Sequence, residues 1–139
     1  IGQVPSPTPP ECHQRPVAVS AELFEQCVEE VEGVEGVQVP LFIAACKNYC
    51  EVLHIIGPFT MLTVREVNAN MAKIETSLQL DAVAYRSMRA LLTAEVDAGM
   101  HQPGGILADP SAAMGLLWAR RGLAFWVEIY RQCLGLQVR

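Results

Sequence analysis

Lysine, aromatic residues and long apolar runs are all scarce in this chain of 139 residues. Lys47 and Lys73 are the two lysines, and the net charge is −5, which argues against the basic surface that binds nucleic acid. Aromatic residues make up 6%, so aliphatic side chains must fill the interior. No apolar run reaches the about twenty residues that a membrane-crossing helix needs. The first residues also lack the basic start and apolar stretch of a signal peptide.

Apolar residues are abundant: they make up 51% of the chain, whereas charged residues make up 18%. This composition excludes a disordered chain and predicts one folded domain. The sequence motifs of hydrolases, zinc proteases and phosphate-binding loops are missing. Acidic residues from Glu25 to Glu35 form a run of the kind that usually faces solvent. We therefore predict a protein that is not an enzyme and uses no cofactor.

The five cysteines are an odd number, which favours reduced thiols and a cytoplasmic protein. Cys46, Cys50 and His54 recur at intervals of four, roughly on one helix face, and this spacing suggests a metal site. The alternative is two buried thiols beside a histidine near a helix end. Because zinc sites normally use further ligands at recognisable spacing, we favour the second interpretation and predict no metal.

Apolar periodicity and helix-ending residues predict an all-α domain over residues 19–139, preceded by a flexible proline-rich leader at 1–18. Strand alternation and hairpin turn signals are not evident. Asp81 and Asp109 are the expected N-caps of the last two helices. The five predicted helices span Ala21 to about Glu32, Pro40 to Ile56, Phe59 to Leu78, Asp81 to Met100, and Pro110 to about Leu134.

Two motifs lie on these helices. Glu66, Asn70 and Lys73 stand at i, i+4 and i+7, so they project from the same side of the third helix. An acid, an amide and an amine on one face can recognise a head group that carries donors and acceptors. The second motif, Gly115-Leu116-Leu117-Trp118-Ala119-Arg120-Arg121-Gly122-Leu123, lies on the fifth helix.

Both motifs, in this order, resemble the signatures of the glycolipid transfer protein family over about residues 20–135. The resemblance implies a helical two-layer sandwich and a role for Asn70 in bonding the first sugar or the phosphate. It implies a basic partner in Lys73 and a sugar-stacking surface in Trp118. Glu66 falls where the family has an aspartate that holds the ceramide amide. Arg121 is added as a cation that can reach a phosphate.

The chain departs from the family pattern at Glu66, which is longer than aspartate, and at Ala69, which replaces a glycine. The family fold has about eight helices, whereas this chain reaches a fifth, so we expect a truncated or incomplete domain. The fifth helix is apolar on most sides, which predicts exposed apolar surface and self-association.

The resemblance implies intermembrane transfer or binding of a sphingolipid, with transient membrane contact. A glycosphingolipid is favoured and a phosphorylated ceramide comes second. A helical protein-interaction or lipid-sensing module without transfer activity is the alternative. The hydrocarbon chains are expected in an apolar pocket formed by Phe42, Ile55, Phe59, Leu62, Leu117 and Phe125.

Overall fold

Five helices and one β-hairpin make up the fold in a computed structural model that describes residues 2, 15–133 and 135. The predicted all-α class with five helices is confirmed. The hairpin consists of β1 (Val28–Val31) and β2 (Val34–Val37). The helices are α1 (Pro16–Gln26), α2 (Val39–Ile56), α3 (Met61–Leu78), α4 (Met88–Asp97) and α5 (Ala112–Cys133).

The first helix begins earlier and ends earlier than predicted. Pro16 occupies its first turn, where the missing N–H has no helical partner, so the last three residues of the predicted leader are helical. The rest of that leader, apart from Gly2 and Arg15, lies outside the described residues. Gln26 ends the helix six residues before the predicted end at Glu32.

The hairpin corrects the prediction that the chain contains no strands. Its strands pair antiparallel, and Glu32 and Gly33 between them have φ values of 54° and 77°. Two central residues with positive φ are typical of the tight turn whose twist matches paired strands. Glu30 lies directly opposite Glu35, a like-charge pair that weakens the hairpin. The acidic run that was predicted to face solvent lies largely in this hairpin, where Glu30, Glu32 and Glu35 are exposed.

The second helix matches its prediction and forms the centre of the core. Its buried face includes Val39, Phe42, Cys46 and Leu53. By length and composition alone α2 is able to cross a membrane, since Lys47 and Glu51 are its only charges, but half of it is buried inside the protein. Its packing against α1 and α3 identifies it as a core helix.

A short 3-10 helix, Pro58–Thr60, turns the chain from α2 into α3. Gly57 has a φ of 148°, which a side chain rarely adopts, and it ends α2. The buried Thr60 hydroxyl lies 2.8 Å from the Leu53 carbonyl oxygen and 2.7 Å from that of Gly57. These contacts fix the start of α3, which carries the polar motif.

The fourth helix is shorter than predicted. Asp81 does not cap it: its carboxylate accepts a hydrogen bond from the Ala84 N–H at 3.0 Å, within turns that run up to Ser87. Aspartate side chains favour turns because they bond nearby backbone groups, which explains why α4 begins only at Met88.

The predicted N-cap of the fifth helix is also different. The Ser111 hydroxyl, and not Asp109, accepts a hydrogen bond from the Met114 N–H, at 3.0 Å, at the start of α5.

Candidate functional site: a hollow between the third and fifth helices

The candidate site depends on a very close contact between α3 and α5. A Cβ placed on Gly115 would lie 2.6 Å from the Asn70 carbonyl oxygen and 3.2 Å from the Lys73 Cβ. A side chain of any size would therefore push the helices apart. Gly115 is the first residue of the second sequence motif, and glycine there lets the two motifs meet.

The contact brings three of the five predicted head-group residues to one hollow. A hollow of about 250 Å³ is lined by Glu66, Ala69, Asn70 and Trp118. Since Gly115 meets Asn70 and Lys73 while Trp118 meets Glu66, the two helices run antiparallel.

Asn70 and Trp118 differ in exposure in a way that suits recognition. Asn70 is only 9% exposed. Trp118 is 50% exposed, which is high for a tryptophan in a helix that packs on one side. A buried amide and an open indole ring give the hollow one polar wall and one aromatic wall.

Lys73 lies outside this hollow. Its ammonium group forms an ion pair with the Asp109 carboxylate at 2.8 Å, and its side chain lines a neighbouring depression with Thr76, Ser77 and Pro110. The predicted trio is therefore split: Glu66 and Asn70 share the hollow, while Lys73 is held toward the loop that precedes α5.

Arg121 is also already engaged. Its guanidinium carbon lies 5.0 Å from the centroid of the Trp118 ring, which is cation–π distance. This contact holds the indole and covers one of its faces. The opposite face is not covered by this contact.

The six residues predicted to form an apolar pocket do not enclose one within residues 15–133. Phe42 is buried in the core, where its ring meets Phe24 edge-on at 6.3 Å, and Leu117 is half-buried. The other four are more than 60% exposed: Ile55, Phe59, Leu62 and Phe125. Leu62 is one turn from Glu66, and Phe125 is two turns from Trp118, so these two continue the walls of the hollow as an exposed apolar strip.

The residues that place α5 were missed at the level of sequence. Glu95 is 4% exposed, and its carboxylate accepts hydrogen bonds from the backbone N–H groups of Ala112 and Ala113. Ser77 and His101 also contact it, each at 3.2 Å. A buried carboxylate at a helix N-terminus satisfies free N–H groups and opposes the helix dipole. The sequence signal was an acid at a core position, one turn after Leu91.

His101 completes this cap. Its Nδ1 accepts the Ala108 N–H at 3.1 Å, so Nδ1 carries no proton and Nε2 donates to Glu95. The histidine thereby ties the loop before α5 to α4, and this loop supplies the Asp109 that holds Lys73.

Cys46 and Cys50 belong to the core, whereas His54 is exposed. Burial raises the pKa of the Cys46 thiol to about 12 and also raises the pKa of Cys50, so both thiols stay protonated at neutral pH. Among the described residues no group of three or more His, Cys, Asp or Glu side chains is arranged to hold a metal ion. These positions match buried thiols.

Comparison with known proteins agrees with the arrangement of the two motifs. The sequence profile of the glycolipid transfer protein family matches residues 37–138, which include α2, α3, α4 and α5. The chain belongs to this family. The family match begins at the end of the hairpin, so α1 and most of the hairpin lie outside it.

Two curated proteins are similar to most of this chain. Glycolipid transfer protein 1 of Arabidopsis thaliana is 22% identical over 119 residues, which cover 83% of this chain and 56% of that protein. Pleckstrin homology domain-containing family A member 8 of Canis lupus familiaris is 25% identical over 127 residues, covering 86% of this chain and 24% of that protein. The chain thus spans about half or less of the length of these relatives. No solved structure matches the chain significantly.

Proposed function

We propose that this chain binds the head group of a glycosphingolipid in the hollow between α3 and α5 and takes part in moving such lipids between membranes. The observation that carries the proposal is that the buried amide of Asn70 and the open indole of Trp118 line the same hollow. Membership of the glycolipid transfer protein family supports it.

The chemistry of the hollow suits a sugar. The C–H face of a sugar ring packs on the free face of Trp118, as apolar surfaces do on aromatic rings. The Asn70 amide both donates and accepts, so it matches a pair of neighbouring hydroxyl groups. The Glu66 carboxylate accepts from a hydroxyl or an amide N–H at the rim. Glutamate reaches further than the aspartate it replaces, and its exposed position leaves room for that reach.

The two cations near the hollow favour a neutral head group over a phosphate. Lys73 is paired with Asp109, and Arg121 is stacked on Trp118. A phosphate would have to break one or both contacts before it gained a charge-assisted bond. A phosphorylated ceramide is therefore the second choice of ligand.

The hydrocarbon part of the ligand meets the exposed strip beyond the hollow. Leaving a bilayer for water costs a chain about 0.8 kcal/mol per CH₂ group, so a carrier must offer apolar contact. Leu62 and Phe125 provide it next to the head-group hollow. The same strip gives the protein an apolar surface for transient membrane contact.

Vesicle-to-vesicle transfer of a fluorescent glycosphingolipid tests the proposal. Asn70→Ala leaves sugar hydroxyls unpaired, a loss of about 1–3 kcal/mol, so the apparent affinity should fall by about fivefold to a hundredfold. Trp118→Ala should reduce it similarly. Asn68→Ala is the matched control, because Asn68 lies on the same helix, is exposed and does not line the hollow. Equal activity in all three variants would contradict the proposal.

A second function, a lipid-sensing or protein-interaction module without transfer activity, is favoured by one observation. The apolar strip at Leu62 and Phe125 is left uncovered by residues 15–133 and offers little enclosure for a hydrocarbon chain. In this case the protein would bind glycosphingolipid vesicles in an Asn70-dependent way while transfer between vesicles stayed at background.

A further inference from the structure

A second hollow lies on another side of α5, away from the head-group hollow. It has a volume of about 390 Å³ between α1, α2 and α5. Its lining is almost wholly apolar and includes the Phe24 ring and the indole of Trp126, together with Val17, Ala21, Leu123 and Val127. The part of its wall contributed by α1 precedes residue 37, where the family match begins, so family membership does not account for it.

One polar side chain in this wall lacks a partner. Ser20 is 3% exposed, and its hydroxyl makes no hydrogen bond with the described part of the chain. Buried hydroxyls are nearly always paired, because burial removes their bonds to water. The other polar groups of the wall, the hydroxyls of Tyr49 and Tyr130, lie 3.4 Å from each other. Ser20 thus contributes to this apolar wall a buried hydroxyl that has no hydrogen-bond partner among the described residues.

The size and charge of the hollow restrict what it can hold. A cavity of about 150 Å³ accommodates one benzene ring, and this hollow is more than twice as large. Its lining contains no charged side chain among residues 15–133. A charged group would lose its hydration there without compensation, so the occupant must be neutral.

We propose that this hollow binds one uncharged hydrocarbon chain that carries a hydroxyl group, with that hydroxyl bonded to the Ser20 Oγ. The hydroxyl satisfies the serine, and the chain packs against Phe24, Leu123 and Trp126. The site is separate from the head-group hollow and goes beyond the proposed function. It selects a hydrocarbon chain by its hydroxyl group, whereas the head-group hollow selects a lipid by its head group.

Tryptophan fluorescence tests this site directly, because Trp126 lines it. In a Trp118→Phe chain, Trp126 is the single tryptophan, so the fluorescence reports on this hollow alone. Two bromine-labelled probes of equal chain length, 11-bromoundecan-1-ol and 1-bromoundecane, quench an indole that they touch. The alcohol is expected to quench Trp126 at about tenfold lower concentration than the alkane, the value of one hydrogen bond.

Ser20→Ala provides the decisive comparison. When Ser20→Ala is added to the Trp118→Phe chain, we expect the alcohol to quench Trp126 at no lower concentration than the alkane does. Unchanged quenching by the alkane would show that the hollow is intact. A chain with Trp118 retained and Trp126→Phe is the matched control, and its quenching should not respond to Ser20→Ala. Absence of Trp126 quenching, or an alcohol preference that survives Ser20→Ala, would overturn the proposal. Neither result bears on glycosphingolipid transfer, which depends on Asn70.

Discussion

At the scale of single residues, the cations near the head-group hollow act first on the protein itself. Lys73 neutralises Asp109, and Arg121 steadies the indole of Trp118. Lys73 was predicted as a ligand contact from the helix face it shares with Glu66 and Asn70 and from the family resemblance, and Arg121 was predicted as a cation that can reach a phosphate. Under the proposed function, recognition of the head group therefore depends mainly on Asn70 and Trp118.

Asp109→Asn should change the choice of head group. Freeing Lys73 makes its ammonium available to a phosphate, so the affinity for a phosphorylated ceramide should rise relative to a glycosphingolipid. Asp109 is 57% exposed, so the gain is limited to about 1 kcal/mol or a few-fold. Competition between the two lipids in a transfer assay measures it. Asp97→Asn changes net charge equally at a distant exposed position, and an identical shift in that variant would contradict the explanation.

Part of this site was predictable from sequence and part was not. The face shared by Glu66 and Asn70 follows from helical spacing, and the role of Trp118 came from the resemblance. The pairing of Lys73 did not follow, because Asp109 reaches it from a loop thirty-six residues further along the chain. Tertiary contacts of this kind leave no periodic signal.

At the scale of elements, the contact between α3 and α5 and the cap of α5 determine the site. Gly115 sets the distance between the helices, and Glu95 holds the first turn of α5. The hollow between α3 and α5 lies at Trp118, one turn of α5 after Gly115.

Gly115→Ala should separate the two helices. Its Cβ would meet backbone at the Asn70 oxygen, which cannot swing away as a side-chain end would. Overpacking of this kind costs about 1–3 kcal/mol of unfolding free energy. Gly122→Ala, on the same helix with open space around it, should instead raise stability by up to about 1 kcal/mol through helix propensity. Urea denaturation of both variants measures the difference, and equal effects would refute the close-contact argument.

Glu95→Ala should loosen the start of α5. The substitution leaves the N–H groups of Ala112 and Ala113 without a partner, and each buried group of this kind costs about 1–3 kcal/mol. Chemical denaturation should show a loss of about that size or more, and hydrogen exchange should quicken at these two amides. Glu51→Ala, an exposed acid on α2, is the control and should change stability by less than about 0.5 kcal/mol.

The elements themselves were predicted unevenly, for physical reasons. α2, α3 and α5 were predicted within a few residues because each has a continuous apolar stripe. The hairpin was missed because Val28 and Val31, which are also at helical spacing, extended the pattern of α1. The β-branched side chains of these valines and the turn at Glu32-Gly33 favour paired strands over a longer helix.

At the scale of the whole molecule, the core contains three buried thiols, Cys27, Cys46 and Cys50. Burial raises the pKa of each of them above the ordinary value of 9.0, and that of Cys46 to about 12. The folded protein therefore keeps these three thiols protonated at pH values where the unfolded chain releases their protons.

Stability should consequently fall as the pH rises. The contribution of Cys46 is fully present below pH 9 and is lost between pH 9 and about 12, since in that range the unfolded chain releases a proton that the folded protein keeps. One such group gives a slope of at most about 1.4 kcal/mol per pH unit. Urea denaturation at pH 7.5, 9.5 and 10.5 measures it.

Cys46→Ala should reduce that slope even though it lowers stability at every pH. Val52→Ala, which removes buried methyl groups from the same helix, should lower stability by a similar constant amount and leave the slope unchanged. If the two variants show the same pH dependence as the parent chain, the buried thiol is not the cause.

The like-charged hairpin has one more consequence for the protein in solution. Among the described residues its sheet has two strands, so no third strand covers the outer edge of β1, where another copy could pair. Clustered carboxylates at Glu29, Glu30 and Glu35 repel a second identical edge. The same carboxylates that weaken the hairpin by repulsion therefore also disfavour its aggregation.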